Sequence, residues 1–145
     1  MNLSDLKPSP AVRKLNPELF NCKGKLTSSK QPNKNEQRFY DEYLNPLMRR
    51  GVLNRVIYEA RSFKLYSIKY TPDWVCTRPD GGIVCYECKP FYKNQNKVHW
   101  HPGSKERLKM AASLYPNIEW YATWKQDGIW QEERIMGKGL DKSDE

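Results

Sequence analysis

The stretch Tyr70-Thr71-Pro72-Asp73-Trp74, followed across a glycine turn by Cys85-Tyr86-Glu87-Cys88-Lys89, decides how this chain is read. The runs 73–77 and 83–89 are rich in Val, Ile, Trp and Tyr, and Pro79-Asp80-Gly81-Gly82 between them is turn chemistry, so the segment predicts a β-hairpin. Side chains alternate along a strand, which places Ile83, Cys85, Glu87 and Lys89 on one face and Val84, Tyr86 and Cys88 on the other. A three-residue loop of Asp80, Gly81 and Gly82 sets Asp73 opposite Lys89 and diagonal to Glu87. A two-residue loop turns Asp73 to the other face, so convergence of the three groups depends on register. Both faces are largely apolar, as expected of central strands covered on each side. There, two carboxylates and an ammonium are costly to desolvate unless they pair with one another or with a cation. An ordinary cross-strand salt bridge is the plain alternative; a carboxylate pair with an amine is also the equipment of a metal-dependent phosphodiesterase.

Pro72-Asp73, then Glu87-Cys88-Lys89 after a hairpin, resembles the signature of the PD-(D/E)XK nuclease superfamily. Asn33-Lys34-Asn35-Glu36 at the opening of a helix, the Tyr-Thr-Pro-Asp strand and the run from Lys105 to Pro116 look like small phage and prophage endonucleases of that superfamily. The helix glutamate and the Tyr-Thr-Pro-Asp strand are also similar to those of phage junction-resolving endonucleases. The resemblance spans residues 33–135 and implies an α/β fold with a restriction-endonuclease-like αβββαβ core, a mixed central sheet flanked by helices. It implies Asp73 and Glu87 as ligands of Mg²⁺ or Mn²⁺, Lys89 as the catalytic lysine and Glu36 as a helix-borne acid. The implied activity is hydrolysis of DNA phosphodiester bonds, with branched DNA or Holliday junctions in phage recombination or DNA processing as the narrower expectation. Symmetric cutting of a junction needs two sites and so a homodimer. A transposition- or restriction-type endonuclease and a non-catalytic DNA-binding module are the alternatives.

The chemistry of these residues fits that assignment. Mg²⁺ takes oxygen ligands, keeps several waters and accepts one or two protein carboxylates. Asp73, Glu87 and the main-chain carbonyl of Cys88 make such a set, with Glu36 as a possible addition. Lys89 is then placed to orient a water or to stabilise charge on phosphorus.

Glu36 shares a helical stripe with Phe39, Tyr40, Tyr43, Leu44 and Leu47, which predicts a core-facing carboxylate. It is also the third helical residue after Asn33, the spacing of a capping box. Both readings stay open from sequence. Pro46 is expected to end or kink the helix near Asn45.

With 145 residues the chain is long enough for one domain with a real core, and 25 Lys and Arg against 17 Asp and Glu leave a net charge of +8 that favours a polyanionic partner. Candidate DNA contacts are Lys34 and Arg38 on the first helix, then Tyr92, Lys93, Lys97, His99 and His101 after Lys89, and Lys105 and Lys109 one turn apart on a second helix. Residues 91–103 read as a loop beside the active face. Ser104 is the expected cap of the second helix, which buries Leu108, Ala111, Ala112 and Tyr115 before Pro116. Residues 54–67 read as a strand or strand pair, and 118–124 and 129–135 as two further strands.

Residues 1–32 are basic and proline-punctuated and read as a poorly ordered arm, 33–136 as the nuclease domain and 137–145 as a polar tail. No membrane span or signal peptide is recognisable, which leads to the expectation of an intracellular protein, in the host cytoplasm if phage-encoded. Cys85 and Cys88 with His99 and His101 mimic a zinc motif. Their odd separation sends the two cysteines to opposite faces of a strand, so no zinc is expected and the thiols read as packing.

Overall fold

Asn33 starts the fold by capping helix α1 (Lys34–Phe39): its side chain accepts the Glu36 N–H at 2.8 Å while the Glu36 carboxylate accepts the Asn33 N–H at 3.3 Å, a complete capping box. The computed structural model describes residues 31–137. Of the expected N-terminal arm only Gln31 and Pro32 fall within that range, and of the tail only Gly137.

The helix does not stop at Asn45. It passes through a π turn, Tyr40–Leu44, and continues as α2 (Asn45–Arg49), with the Asn45 N–H donating to the Tyr40 carbonyl. Pro46 therefore does not end the helix; the distortion expected near Asn45 takes the form of the π turn just before it. Proline lacks an N–H and crowds the carbonyl four residues back, and a wider turn just before it relieves both demands.

Nine strands follow: β1 (Arg55–Tyr58), β2 (Phe63–Leu65), β3 (Ile68–Tyr70), β4 (Trp74–Thr77), β5 (Ile83–Cys88), β6 (Phe91–Tyr92), β7 (Lys97–Val98), and, after helix α3 (Ser104–Leu114), β8 (Glu119–Gln126) and β9 (Ile129–Ile135). The fold is α/β, with a mixed five-stranded sheet in the order β1-β4-β5-β8-β9, in which only β5 and β8 run parallel. The pairs β2-β3 and β6-β7 are separate two-stranded ribbons. Tyr70 closes β3 and Trp74 opens β4, so Tyr70-Thr71-Pro72-Asp73 is a junction between strands and not one strand. The segment expected to be a loop after Lys89 contains the β6-β7 ribbon.

β4 and β5 form the expected hairpin with a corrected register. Thr77 pairs with Ile83 and Trp74 with Tyr86, which carries Asp73 opposite Glu87 rather than opposite Lys89. The Arg78 N–H donates to the Gly82 carbonyl at 2.8 Å, so the three-residue loop is Pro79-Asp80-Gly81, one residue earlier than expected. Proline cannot donate to a ladder and suits the turn, and Gly81 at φ 90° supplies its left-handed position. The register differs from expectation by two residues, an even number, so every side chain keeps its face.

Two cores result, one on each side of the sheet. Phe39, Leu44 and Leu53 pack on Trp74, Cys76, Val84, Tyr86 and Cys88. On the other side Leu108, Ala111 and Ala112 of α3, with Phe63, Leu65 and Tyr70 of the β2-β3 ribbon, cover Cys85, Trp120, Ala122 and Ile135. Cys85 and Cys88 therefore lie in different cores, as alternation requires. Tyr115 is half-buried beside the second core, and Ser104 is not the cap of α3. Gly103 holds that place, and the buried Ser104 hydroxyl donates to the His101 carbonyl at 2.7 Å. Gly137 also departs from the polar tail: it is buried, and a Cβ there would meet the Ser113 Cα at 2.5 Å.

Candidate active site

Asp73 is presented by the junction just before β4, Glu87 and Lys89 by the end of β5, and all three share the α3 side of the sheet. The Asp73 carboxylate accepts the Cys88 N–H at 2.8 Å and its main-chain carbonyl accepts the Glu59 N–H at 2.8 Å, so both ends of the residue are fixed. Glu87 stands across from it, near enough for the two carboxyls to hydrogen-bond when one carries a proton. The buried Tyr70 hydroxyl donates to Glu87 Oε2, and the Lys89 ammonium lies 3.9 Å from Glu87 Oε1. Each oxygen of Glu87 thus has its own neighbour.

Burial dominates the electrostatics. It lifts Asp73 well above the ordinary carboxylate range, with the Glu87 charge adding to the rise and the Cys88 N–H opposing it. Burial also raises Glu87, against the Tyr70 hydroxyl and Lys89. The Glu36 charge raises both, which brings the helix-borne acid into the electrostatic field of the pair although its carboxylate caps α1. Of the two readings of Glu36, the hydrogen bonds bear out the capping box. Tyr58 on β1 joins the same field: burial first, and then the neighbouring Glu36 carboxylate, raise its hydroxyl.

Lys89 is buried, and its main-chain N–H donates to the Thr123 carbonyl at 2.8 Å, which extends the β5-β8 ladder to the catalytic candidate itself. Its ammonium lies 5.1 Å from the centre of the Trp100 ring, and that of Lys105 lies 5.4 Å from the same ring. Trp100 thus ties an expected DNA contact to the lysine of the site.

The remaining candidate contacts separate into groups. Lys34 and Arg38 line an open groove of about 640 Å³ with Asn33, Asn35, Cys88, Pro90, Phe91 and Lys125. Tyr92, His99 and His101 form a ring series, with centroids 4.8 Å and 4.9 Å apart, on and after the β6-β7 ribbon. Lys93, Lys97 and Lys109 are exposed, and no contact among the described residues ties them to the carboxylates. Sequence reasoning left Tyr70, Trp100 and Lys125 out of the site. Tyr70 sat within the quoted motif, whereas Trp100 and Lys125 carry no signal short of the fold.

Among the described residues no set of three or more His, Cys, Asp or Glu side chains is arranged to hold a metal ion. Mg²⁺ does not require such a set, since it is held through one or two carboxylates with water completing the shell. Asp73 and Glu87, facing one another with too little compensating charge, suit a divalent cation. When bound, the ion would supply Lewis-acid polarisation of a phosphate and a more acidic water.

No helix of the described residues is long and apolar enough to cross a membrane. No family model matches the chain, and no curated protein matches it. A solved structure described as the crystal structure of SSO0001 superposes with a TM-score of 0.40 at 13% identity, covering 86% of this chain and 78% of that one, a likeness too remote to carry an argument.

Proposed function

We propose that this chain is a metal-dependent DNA endonuclease of the PD-(D/E)XK type. The observation that carries the reading is the opposition of Asp73 and Glu87 at the ends of two central strands, Asp73 buried and Glu87 mostly so, with both carboxyls raised and Lys89 3.9 Å from Glu87. Like charges facing one another in a largely desolvated site are unfavourable alone and become favourable around a cation. The succession of α1, β1, β4, β5, α3 and β8, with the last strand parallel to β5, is compatible with an αβββαβ core.

In this reading Asp73, Glu87 and the Cys88 carbonyl hold Mg²⁺ or Mn²⁺, and Glu36 acts through the charge it adds to the pair. Lys89 donates hydrogen bonds toward the attacked phosphate or the attacking water. The groove lined by Lys34, Arg38 and Lys125, the last also paired with Glu42, receives a flanking part of the DNA backbone, where cations neutralise phosphates. The narrower proposal is action on branched DNA in phage recombination or DNA processing, by a homodimer in an intracellular compartment.

Incubation of the purified protein with plasmid and with synthetic four-way junctions, in Mg²⁺ or in EDTA, tests this. Cutting is expected only with metal, and Asp73→Ala and Glu87→Ala are expected to lose it. Lys89→Ala should keep DNA affinity within about twofold while turnover falls about a hundredfold or more. Cutting by the carboxylate variants at the wild-type rate would remove the site, and DNA binding without cutting under every divalent metal would favour a non-catalytic module.

A further inference from the structure

The β2-β3 ribbon carries features that the carboxylate site does not use. Its inward side chains, Phe63, Leu65 and Tyr70, are buried against Trp120 and α3. Its outward pair is Lys64 directly opposite Lys69. Like charges facing each other across a ladder are destabilising, and among the described residues neither lysine has an ion-pair partner. At the tip Tyr66 is 70% exposed and sits at φ 55°, a left-handed conformation that a two-residue hairpin normally gives to Asn or Gly. A large aromatic ring is thus displayed at a strained position at the tip, beyond two lysines with no ion-pair partner among the described residues.

The root of the ribbon is tied to the site. Tyr70 donates to Glu87, and the Ser62 and Thr71 hydroxyls bond at 2.6 Å across its base. Tyr66 lies three residues along the chain beyond Phe63, the partner of Tyr70, so the ribbon tip is about 10 Å from the Tyr70 level at the rise of a strand. That equals about three base steps of B-form DNA.

We propose that the β2-β3 ribbon is a nucleic-acid contact in which Lys64 and Lys69 together bind the backbone and Tyr66 stacks on an unpaired base about three steps from the cut phosphate. The proposal rests on the nucleic-acid reading of the site and narrows its substrate. A base offers its face only where it is not sandwiched in a duplex, at a branch, flap or single-stranded arm, so Tyr66 selects DNA with unpaired nucleotides. The lysines contribute to affinity on any DNA.

The test is fluorescence anisotropy in EDTA, using a labelled duplex with a single-stranded arm and a fully paired duplex of equal length. Tyr66→Gly should weaken binding to the armed duplex about fivefold or more and leave the paired duplex within about twofold. Glycine suits the left-handed position, so its melting temperature should hold or rise. The double variant Lys64→Ala/Lys69→Ala should weaken both probes and reduce the slope of log Kd against log salt by about two. Wild-type affinity and salt slope in both variants would overturn the proposal. Because EDTA suspends cutting, ribbon-dependent binding by a protein that never cuts would sink the catalytic reading and leave this one standing.

Discussion

Asp73 is the residue on which the proposed chemistry turns. Burial first and the Glu87 charge second push it up to about 9 in the folded protein, from the ordinary 3.8 it regains on unfolding. Between those values the folded chain binds more protons than the unfolded one, so stability present at acid pH is lost as pH rises through this window. Asp73→Asn removes the charge and keeps an oxygen for the Cys88 N–H. The metal-free variant should be more stable than wild type by about 1–3 kcal/mol near pH 8, and by little near pH 4. Denaturant melts in EDTA at the two pH values check this, and a variant less stable at both would contradict it. Tyr70 donates to Glu87, so in the proposed site its role is to position that carboxylate. Tyr70→Phe keeps the ring packing and removes the hydrogen bond, so metal affinity or turnover should fall about ten- to a hundredfold. Titration with Mn²⁺ beside a thermal melt separates that loss from unfolding.

Among the elements, the β4-β5 hairpin shows why much of the candidate site's geometry is legible in the sequence. Strand alternation alone puts Glu87 and Lys89 on one face, and a two-residue difference in register leaves Asp73 on that face too. The exact partner of Asp73 was not legible, because whether Pro79 ends a strand or enters the turn is settled by ladder hydrogen bonds. The π turn was hidden for a similar reason: Pro46 reads locally as a break, while packing of Phe39 on Tyr86 and Trp130, at 5.4 Å and 5.0 Å, holds the helix on the sheet across it. Phe39→Ala should therefore cost about 3–5 kcal/mol in a denaturant melt. Trp100 lies far along the chain from Lys89 in pattern terms and meets it only through the fold. At the C-terminal end of the sheet Gly137 lies against Ser113 of α3, where the missing Cβ permits the approach. Gly137→Ala needs the backbone to shift and should lower stability by more than about 1 kcal/mol, measurable as a fall in melting temperature.

For the whole molecule, two apolar cores on opposite sides of one sheet give the carboxylates a rigid support, with Glu36 entering from the helical side and Tyr70 from the ribbon side. The positive charge legible in composition takes a place in the fold: Lys34, Arg38 and Lys125 border the groove beside Cys88, while Lys64 and Lys69 stand on the ribbon. The central claim is that Asp73 and Glu87 together hold a divalent cation. Calorimetric titration of the full chain with Mn²⁺ near neutral pH tests it most directly. One site is expected in the wild type and none in Asp73→Asn or Glu87→Gln, both variants remaining folded; equal Mn²⁺ binding by all three proteins would contradict the account.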